Sequence, residues 1–154
     1  MKKSLLLKIT AIAALYISQS ASAQLISGGY HHSLFTCKDS TVWAAGGNTY
    51  GALGDGTTNT PVLPVHIGLN SIVAMETGYF HSLFLKKDGT VWATGYNNHG
   101  QLGDGTLVDK LTPFQIPGLS GITAIAAGQN QSLFLKNDST VWSCGWNISG
   151  QLGD

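Results

Sequence analysis

An all-β fold built from repeated blades of short antiparallel strands is what the 154-residue sequence predicts, on three observations. Its 20 glycines sit beside Trp, Leu and Val rather than in Gly-X-Y triplets or a Ser/Pro-rich linker, which marks many tight turns between short strands. Trp43, Trp92 and Trp142 recur at intervals of 49 and 50 residues, and their neighbours align without gaps. Finally, the chain is 43% hydrophobic and only 10% charged, too apolar for a disordered tail and long enough for one ordinary domain.

The first element is of another kind. Lys2, Lys3 and Lys8 precede the apolar run 9–17, and Ala21-Ser22-Ala23 supplies small residues at a cleavage position, so residues 1–23 are expected to be a secretory signal peptide cut between Ala23 and Gln24. The run is 9 residues long, against roughly 20 for a membrane-crossing helix, so no membrane span is expected. The predicted destination is extracellular, cell-surface or periplasmic. Cleavage would leave five lysines against eight acidic residues, a net charge of about −3, with no arginine anywhere. Nucleic acid and anionic membranes need a concentrated basic face, and Lys38, Lys86, Lys87, Lys110 and Lys136 are too few and too dispersed to make one.

Each repeat then opens on a Gly-led segment: Gly29-Tyr30-His31-His32-Ser33-Leu34-Phe35, Gly78-Tyr79-Phe80-His81-Ser82-Leu83-Phe84 and Gly128-Gln129-Asn130-Gln131-Ser132-Leu133-Phe134. Asp39, Asp88 and Asp138 follow, ahead of Thr-Val-Trp ending at Trp43, Trp92 and Trp142. Ser82-Leu83-Phe84-Leu85 and Thr90-Val91-Trp92-Ala93 are β-prone runs around Asp88-Gly89, a hairpin turn. Ser40 and Ser139 replace that glycine elsewhere, and their Cβ predicts looser turns or turns of another type. The cycle closes on Gly51-Ala52-Leu53-Gly54-Asp55, Gly100-Gln101-Leu102-Gly103-Asp104 and Gly150-Gln151-Leu152-Gly153-Asp154, where two glycines make a compact turn and the leucine between them a core anchor. Asn48, Asn97 and Asn147 recur just before it. The runs 71–75 and 121–126 end each cycle as a further strand, after a stretch holding Pro61, Pro64, Pro113 and Pro117, where edge or irregular chain is expected. The repeats fall at 24–75, 76–125 and, in part, 126–154.

Residues 78–106 resemble, along their whole length, the repeat of the regulator-of-chromosome-condensation family, and the match extends over 26–154. The resemblance implies a β-propeller, of which the chain carries about two and a half blades. The family is known for seven blades, about 350 residues at this period, so a partial chain is expected, with ring completion by self-association as the alternative.

The titratable residues carry no unique constellation. His32 and His81 share one repeat position with Gln131, which suits a residue bonding a neighbouring backbone and not a metal ligand. Aspartates present in every repeat suit turn caps better than catalysis, and no calcium loop, phosphate loop or nucleophile elbow is present. No cofactor or metal is expected. Cys37 aligns with Lys86 and Lys136, hence with a solvent-facing position, and lies two blades from Cys144, too far for a disulfide. Trp43, Trp92 and Trp142 are assigned to the blade core, whereas Trp146, Tyr50 and Tyr96, with Tyr30 and Tyr79, are candidates for an exposed aromatic contact surface.

Repetition without a polar centre points to an exported binding module for an unidentified protein or glycan, without catalysis of its own, with specificity in the divergent stretches 56–70 and 105–120. Guanine-nucleotide exchange, which the family resemblance implies, is opposed by predicted export and the absence of arginine. Blades of a larger envelope enzyme form the third class.

Overall fold

The computed structural model describes residues 25–37 and 39–153; the predicted leader and its Ala23–Gln24 junction lie outside them. The described residues form eleven strands and no helix, so none is long and apolar enough to cross a membrane. Strands β1 (Ile26–Gly28), β2 (His32–Thr36), β3 (Val42–Gly46) and β4 (Val65–Ile67) make the first antiparallel sheet in that order. Strands β5 (Ile72–Thr77), β6 (His81–Lys86), β7 (Val91–Gly95) and β8 (Lys110–Gln115) make the second. A third has β9 (Ile122–Ala127), β10 (Gln131–Lys136) and β11 (Val141–Gly145). These are propeller blades, each pairing neighbouring strands in sequence.

The register repeats with the sequence: Phe35 faces Trp43, Phe84 faces Trp92 and Phe134 faces Trp142. Sequence period and sheets differ in phase. The runs read as closing one cycle, now β5 and β9, instead open the next blade, because each pairs with the strand that follows it. Pro113 lies in β8, the edge strand of its sheet, where its missing N–H breaks no ladder.

One sheet cannot bury two apolar faces by itself, so the core lies between blades. Leu34, Val42, Ala44 and Leu53 of blade one close on Met75 and Phe84 of blade two. The other face of blade two, with Leu83, Leu85, Val91 and Leu102, closes on Ile122, Ile125 and Phe134 of blade three. Strand β6 is therefore buried along both faces, whereas β2 and β10 alternate between covered and open positions. Leu53 and Leu102 are fully buried, as the Gly-x-x-Gly spacing predicts, and Gly51, Gly54, Gly100, Gly103, Gly150 and Gly153 all take positive φ in those turns.

Three expectations need correction. The tryptophans lie at the margin of the core: Trp43 and Trp92 are half-buried and Trp142 is 53% exposed. Trp92 pairs with Gln115 of a fourth strand, whereas the described part of blade three has no fourth strand to flank Trp142. Cys37 is buried, not solvent-facing. At the equivalent positions the stems of Lys86 and Lys136 carry their amines out over Trp92 and Trp142, at 5.0 and 5.3 Å from the ring centres, while the short thiol stays inside. Burial raises its pKa, and both cysteines are free.

Ser40 and Ser139 form the same turn as Gly89, at φ 64° and 68° against 78°, so the tightness expected of glycine alone is reached at a cost. Asp39 holds it, its Oδ1 accepting from the Thr41 N–H at 3.1 Å and hydroxyl at 2.6 Å. Ser139→Gly is accordingly expected to stabilise the chain by about 0.5 kcal/mol, the relief of left-handed strain less the entropy glycine adds to the unfolded state. A urea titration would show the midpoint rising with an unchanged slope.

Candidate interaction face

The turns between β1 and β2, β5 and β6, and β9 and β10 lie at the same end of the sheets as the loops that leave β3, β7 and β11. Backbone bonds lock the two sets together: Gly47 N–H to His31 O at 2.8 Å, Tyr96 N–H to Phe80 O at 2.9 Å and Trp146 N–H to Asn130 O at 2.8 Å. Only glycine allows this approach, because a Cβ on Gly95, at φ +108°, would lie 2.3 Å from the Phe80 carbonyl oxygen.

These turns carry a continuous row of eight rings across three blades. Tyr30 stacks on Tyr79 at 4.4 Å and His31 on Phe80 at 4.7 Å. Tyr50 stands edge-on to Phe80 at 4.9 Å and 4.7 Å from Tyr96; Tyr96 meets His99, which stacks on Trp146 at 5.2 Å. Tyr30 is 70% and Trp146 40% exposed, while Tyr50, Tyr79 and Tyr96 are half-buried, so the rings are braced against one another and still face solvent. Residues 29–31, 47–51, 78–80, 96–100, 128–130 and 146–150 contain no Lys, Arg, Asp or Glu. The five aromatic residues anticipated from the sequence all belong to it. Phe80, His31 and His99 were not anticipated; the signal available was that His31 and Phe80 share one repeat column, next to that of Tyr30 and Tyr79, and that His99 shares the column of Tyr50.

Behind the row lies a buried relay that ties each blade to the next. Nε2 of His32 is 2.8 Å from Ser82 Oγ, and Nε2 of His81 is 3.0 Å from Ser132 Oγ. Each serine hydroxyl donates onward, to Ala52 O at 2.7 Å and Gln101 O at 2.8 Å, so the histidine must donate from Nε2 and keep its lone pair on Nδ1. Both Nδ1 atoms are buried without a protein partner. The expected backbone contact is thus replaced by a serine of the following blade. Burial lowers the His81 pKa to about 3, with His32 adding to the effect, and burial with His31 lowers that of His32 to about 4.

The repeated aspartates act on turns. Asp104 takes the Thr106 N–H at 2.9 Å and the Asn97 amide at 3.0 Å and pairs with Lys110 at 3.0 Å. Burial raises its pKa, but Lys110, Thr106 and Asn97 outweigh it and hold the carboxyl at about 2. Among the described residues no group of three or more His, Cys, Asp or Glu could hold a metal ion. The divergent loops begin at the aromatic end and expose Val62, Leu107 and Val108.

The sequence model for the regulator of chromosome condensation (RCC1) repeat matches residues 39–85 and 88–135, and a second for the same repeat matches 72–101 and 122–151. No curated protein matches the chain in sequence. Human WBSCR16 is similar in structure, at 23% identity and a TM-score of 0.76 over 88% of this chain and 36% of that one. Prp20p from Saccharomyces cerevisiae, whose structure was described with its binding to Gsp1p and histones, is 27% identical, at a TM-score of 0.71 over 88% and 33%. Yeast RCC1 (Prp20) bound by Kap60 gives 26% identity and a TM-score of 0.68 over 84% and 31%. The chain spans about a third of the length of these solved relatives. Repeated blades, their register and the family match over residues 39–135 lead to one assignment: the chain belongs to the regulator of chromosome condensation repeat family, as an incomplete ring of propeller blades.

Proposed function

We propose that the chain is an exported, non-catalytic binding module that docks a partner protein on its aromatic face. The observation that carries this reading is the braced row from Tyr30 to Trp146. Rigid Tyr and Trp rings lose little entropy on binding and dominate the energetics of protein interfaces. Binding of Gsp1p, histones and Kap60 by the yeast relative supports a protein partner as the class. The lysines, apolar run 9–17 and Ala21-Ser22-Ala23 of the first 23 residues fit a leader and support export, and a mass spectrum of a secreted chain beginning at Gln24 would test it.

The test is photo-crosslinking from position 96, on the aromatic face, and from position 138, at the opposite end, in exported and envelope fractions of the source organism. A protein captured from 96 alone is expected, and Tyr96→Ala or Tyr79→Ala should weaken its binding at least tenfold while costing the fold about 1 kcal/mol through the lost ring contacts, so that circular dichroism still shows it folded. Retention of a polysaccharide instead would make the ligand a glycan; capture only from 138 would refute the aromatic face. Similarity to Prp20p favours, as the second reading, an exchange-factor-like regulator, which accelerated nucleotide release from a small GTPase would reveal.

A further inference from the structure

Four half-buried rings of the row, Tyr50, Tyr79, Phe80 and Tyr96, have described neighbours on both sides, so what they show to solvent belongs to the end face and not to an open flank of a sheet. Tyr79 and Phe80 lie against Tyr30 and His31 of blade one, and Tyr79 N–H reaches the Gln129 carbonyl of blade three. Tyr50 and Tyr96 meet at 4.7 Å but at 53°, splayed rather than stacked, and Phe80 stands edge-on to both, at 61° and 75°. The three rings wall a notch where blades one and two join.

The polar groups of the notch are one-sided. Backbone N–H groups around it are spent inside the chain: Gly51 on Asn48 O at 2.9 Å, Tyr96 on Phe80 O at 2.9 Å, Asn97 on Asp109 Oδ1 at 2.7 Å and Gly100 on Asn97 O at 2.8 Å. The hydroxyls of Tyr50 and Tyr96 take no partner among the described residues, and neither is one of the buried unpaired polar atoms, which lie on His32, His81, Trp92 and Gln101. They are therefore solvent-facing donors on rings that their neighbours hold in place. The turns that carry them contain no Lys, Arg, Asp or Glu.

We propose that the notch takes a proline-rich segment of the partner in the polyproline II conformation; this rests on partner docking at the aromatic face and names the chemistry of what docks. Such a segment has no internal hydrogen bonds, its prolines offer carbonyl acceptors without N–H donors, and its shape is set before binding. Tyrosine hydroxyls answer the carbonyls, and splayed rings seat the pyrrolidines, as aromatic-lined grooves do. Other occupants fit worse. A strand would need free backbone N–H groups to pair with, and those around the notch are taken. An ionic segment would lose hydration with no opposite charge to meet it. A sugar ring stacks on an open aromatic face, whereas Tyr79 and Phe80 each spend a face on Tyr30 and His31, at 16° and 6°.

The test is calorimetric titration of the chain with a ten-residue oligoproline, about 30 Å long in this conformation. Saturable binding is expected, with a Kd on the order of 100 µM for a short uncharged peptide. A Gly-Ser peptide of the same length should bind at least tenfold more weakly, since it must first be ordered. Tyr50→Ala and Tyr96→Ala should each weaken oligoproline binding at least tenfold, and Tyr96→Phe, which keeps the ring, about fivefold through the lost hydroxyl donor. Asp138→Ala, at the opposite end, should bind as wild type. Absence of saturable binding, equal binding of the Gly-Ser peptide, or indifference to the tyrosine variants would overturn the proposal. If a protein is still crosslinked from position 96 in that event, docking on the face stands and only the proline assignment falls; if none is, both fall. Saturable binding of cellohexaose in place of oligoproline, abolished by Tyr96→Ala, would overturn it in favour of a glycan.

Discussion

Lowering the pH from 7 to 4.5 is expected to destabilise the chain steeply, with the loss beginning near pH 6.5, before the carboxylates titrate. His81 and His32 are held neutral in the fold, with pKa values of about 3 and about 4 against 6.5 in an unfolded chain. Between those limits the unfolded state binds a proton that the folded state refuses, so stability falls as pH falls; above 6.5 neither state binds it and nothing is lost. Each histidine contributes about 1.4 kcal/mol per pH unit in that window, so the pair removes on the order of 5 kcal/mol by pH 4.5, comparable to the whole stability of a small domain.

The origin of the effect is geometric. A second proton would go on Nδ1, which is buried with no acceptor in reach, while Nε2 is already committed to serine. Asp104, held at about 2, adds a loss of the same sign only at lower pH. Glu76, whose pKa is raised by burial, works the other way, because it is more easily protonated in the fold. Urea midpoints from pH 7 to 5 would measure the slope, and His81→Gln should reduce it by about half, since Gln131 fills the same position in blade three without titrating. An unchanged slope in that variant would exclude the relay as the source.

That relay shows how far the sequence could be read. The exchange of His for Gln at one repeat position correctly pointed to a hydrogen-bonding role, since both offer an N–H donor and neither chemistry nor a metal survives the exchange. The partner was invisible, because it lies about 50 residues away on the next blade and depends on how blades stack. Blades, hairpins and leucine anchors were legible because they follow from local turns and alternation within one repeat. The burial of Trp43, Trp92 and Trp142 was misjudged for the opposite reason: side-chain size suggests a core, but position on the sheet decides it, and the smaller Leu53 and Leu102 occupy the centre. The aromatic face was half legible. Tyr50 and Tyr96 stood out by type, whereas Phe80 and the two histidines gain their meaning only from the blade beside them.

Substitution of Asn97 is expected to be the most damaging single change in the chain, and it tests what organises the divergent loop behind the aromatic row. The side chain is fully buried. Its Oδ1 accepts from the Leu102 N–H at 2.9 Å, and its amide donates to Asp104 Oδ1 at 3.0 Å, Thr106 O at 3.1 Å and Val108 O at 3.3 Å. One residue thus fixes both the turn that drops Leu102 into the core and the loop that leads to β8; Asn48 does the same for Leu53, Asp55, Thr57 and Asn59. Asn97→Ala would strand a buried donor and several acceptors and leave a cavity, at about 3 kcal/mol. Asn97→Asp keeps the shape but turns the donor into a second carboxylate facing Asp104 and two carbonyls, so it should cost more than alanine at pH 7. Thermal unfolding would show both variants lowered by many degrees, aspartate further, against a small shift for Thr106→Ala on the exposed side of the same loop. If aspartate instead matched wild type, the loop would be held by the Asp104–Lys110 pair and the turn glycines, and the recurrence of Asn in each repeat would need another cause.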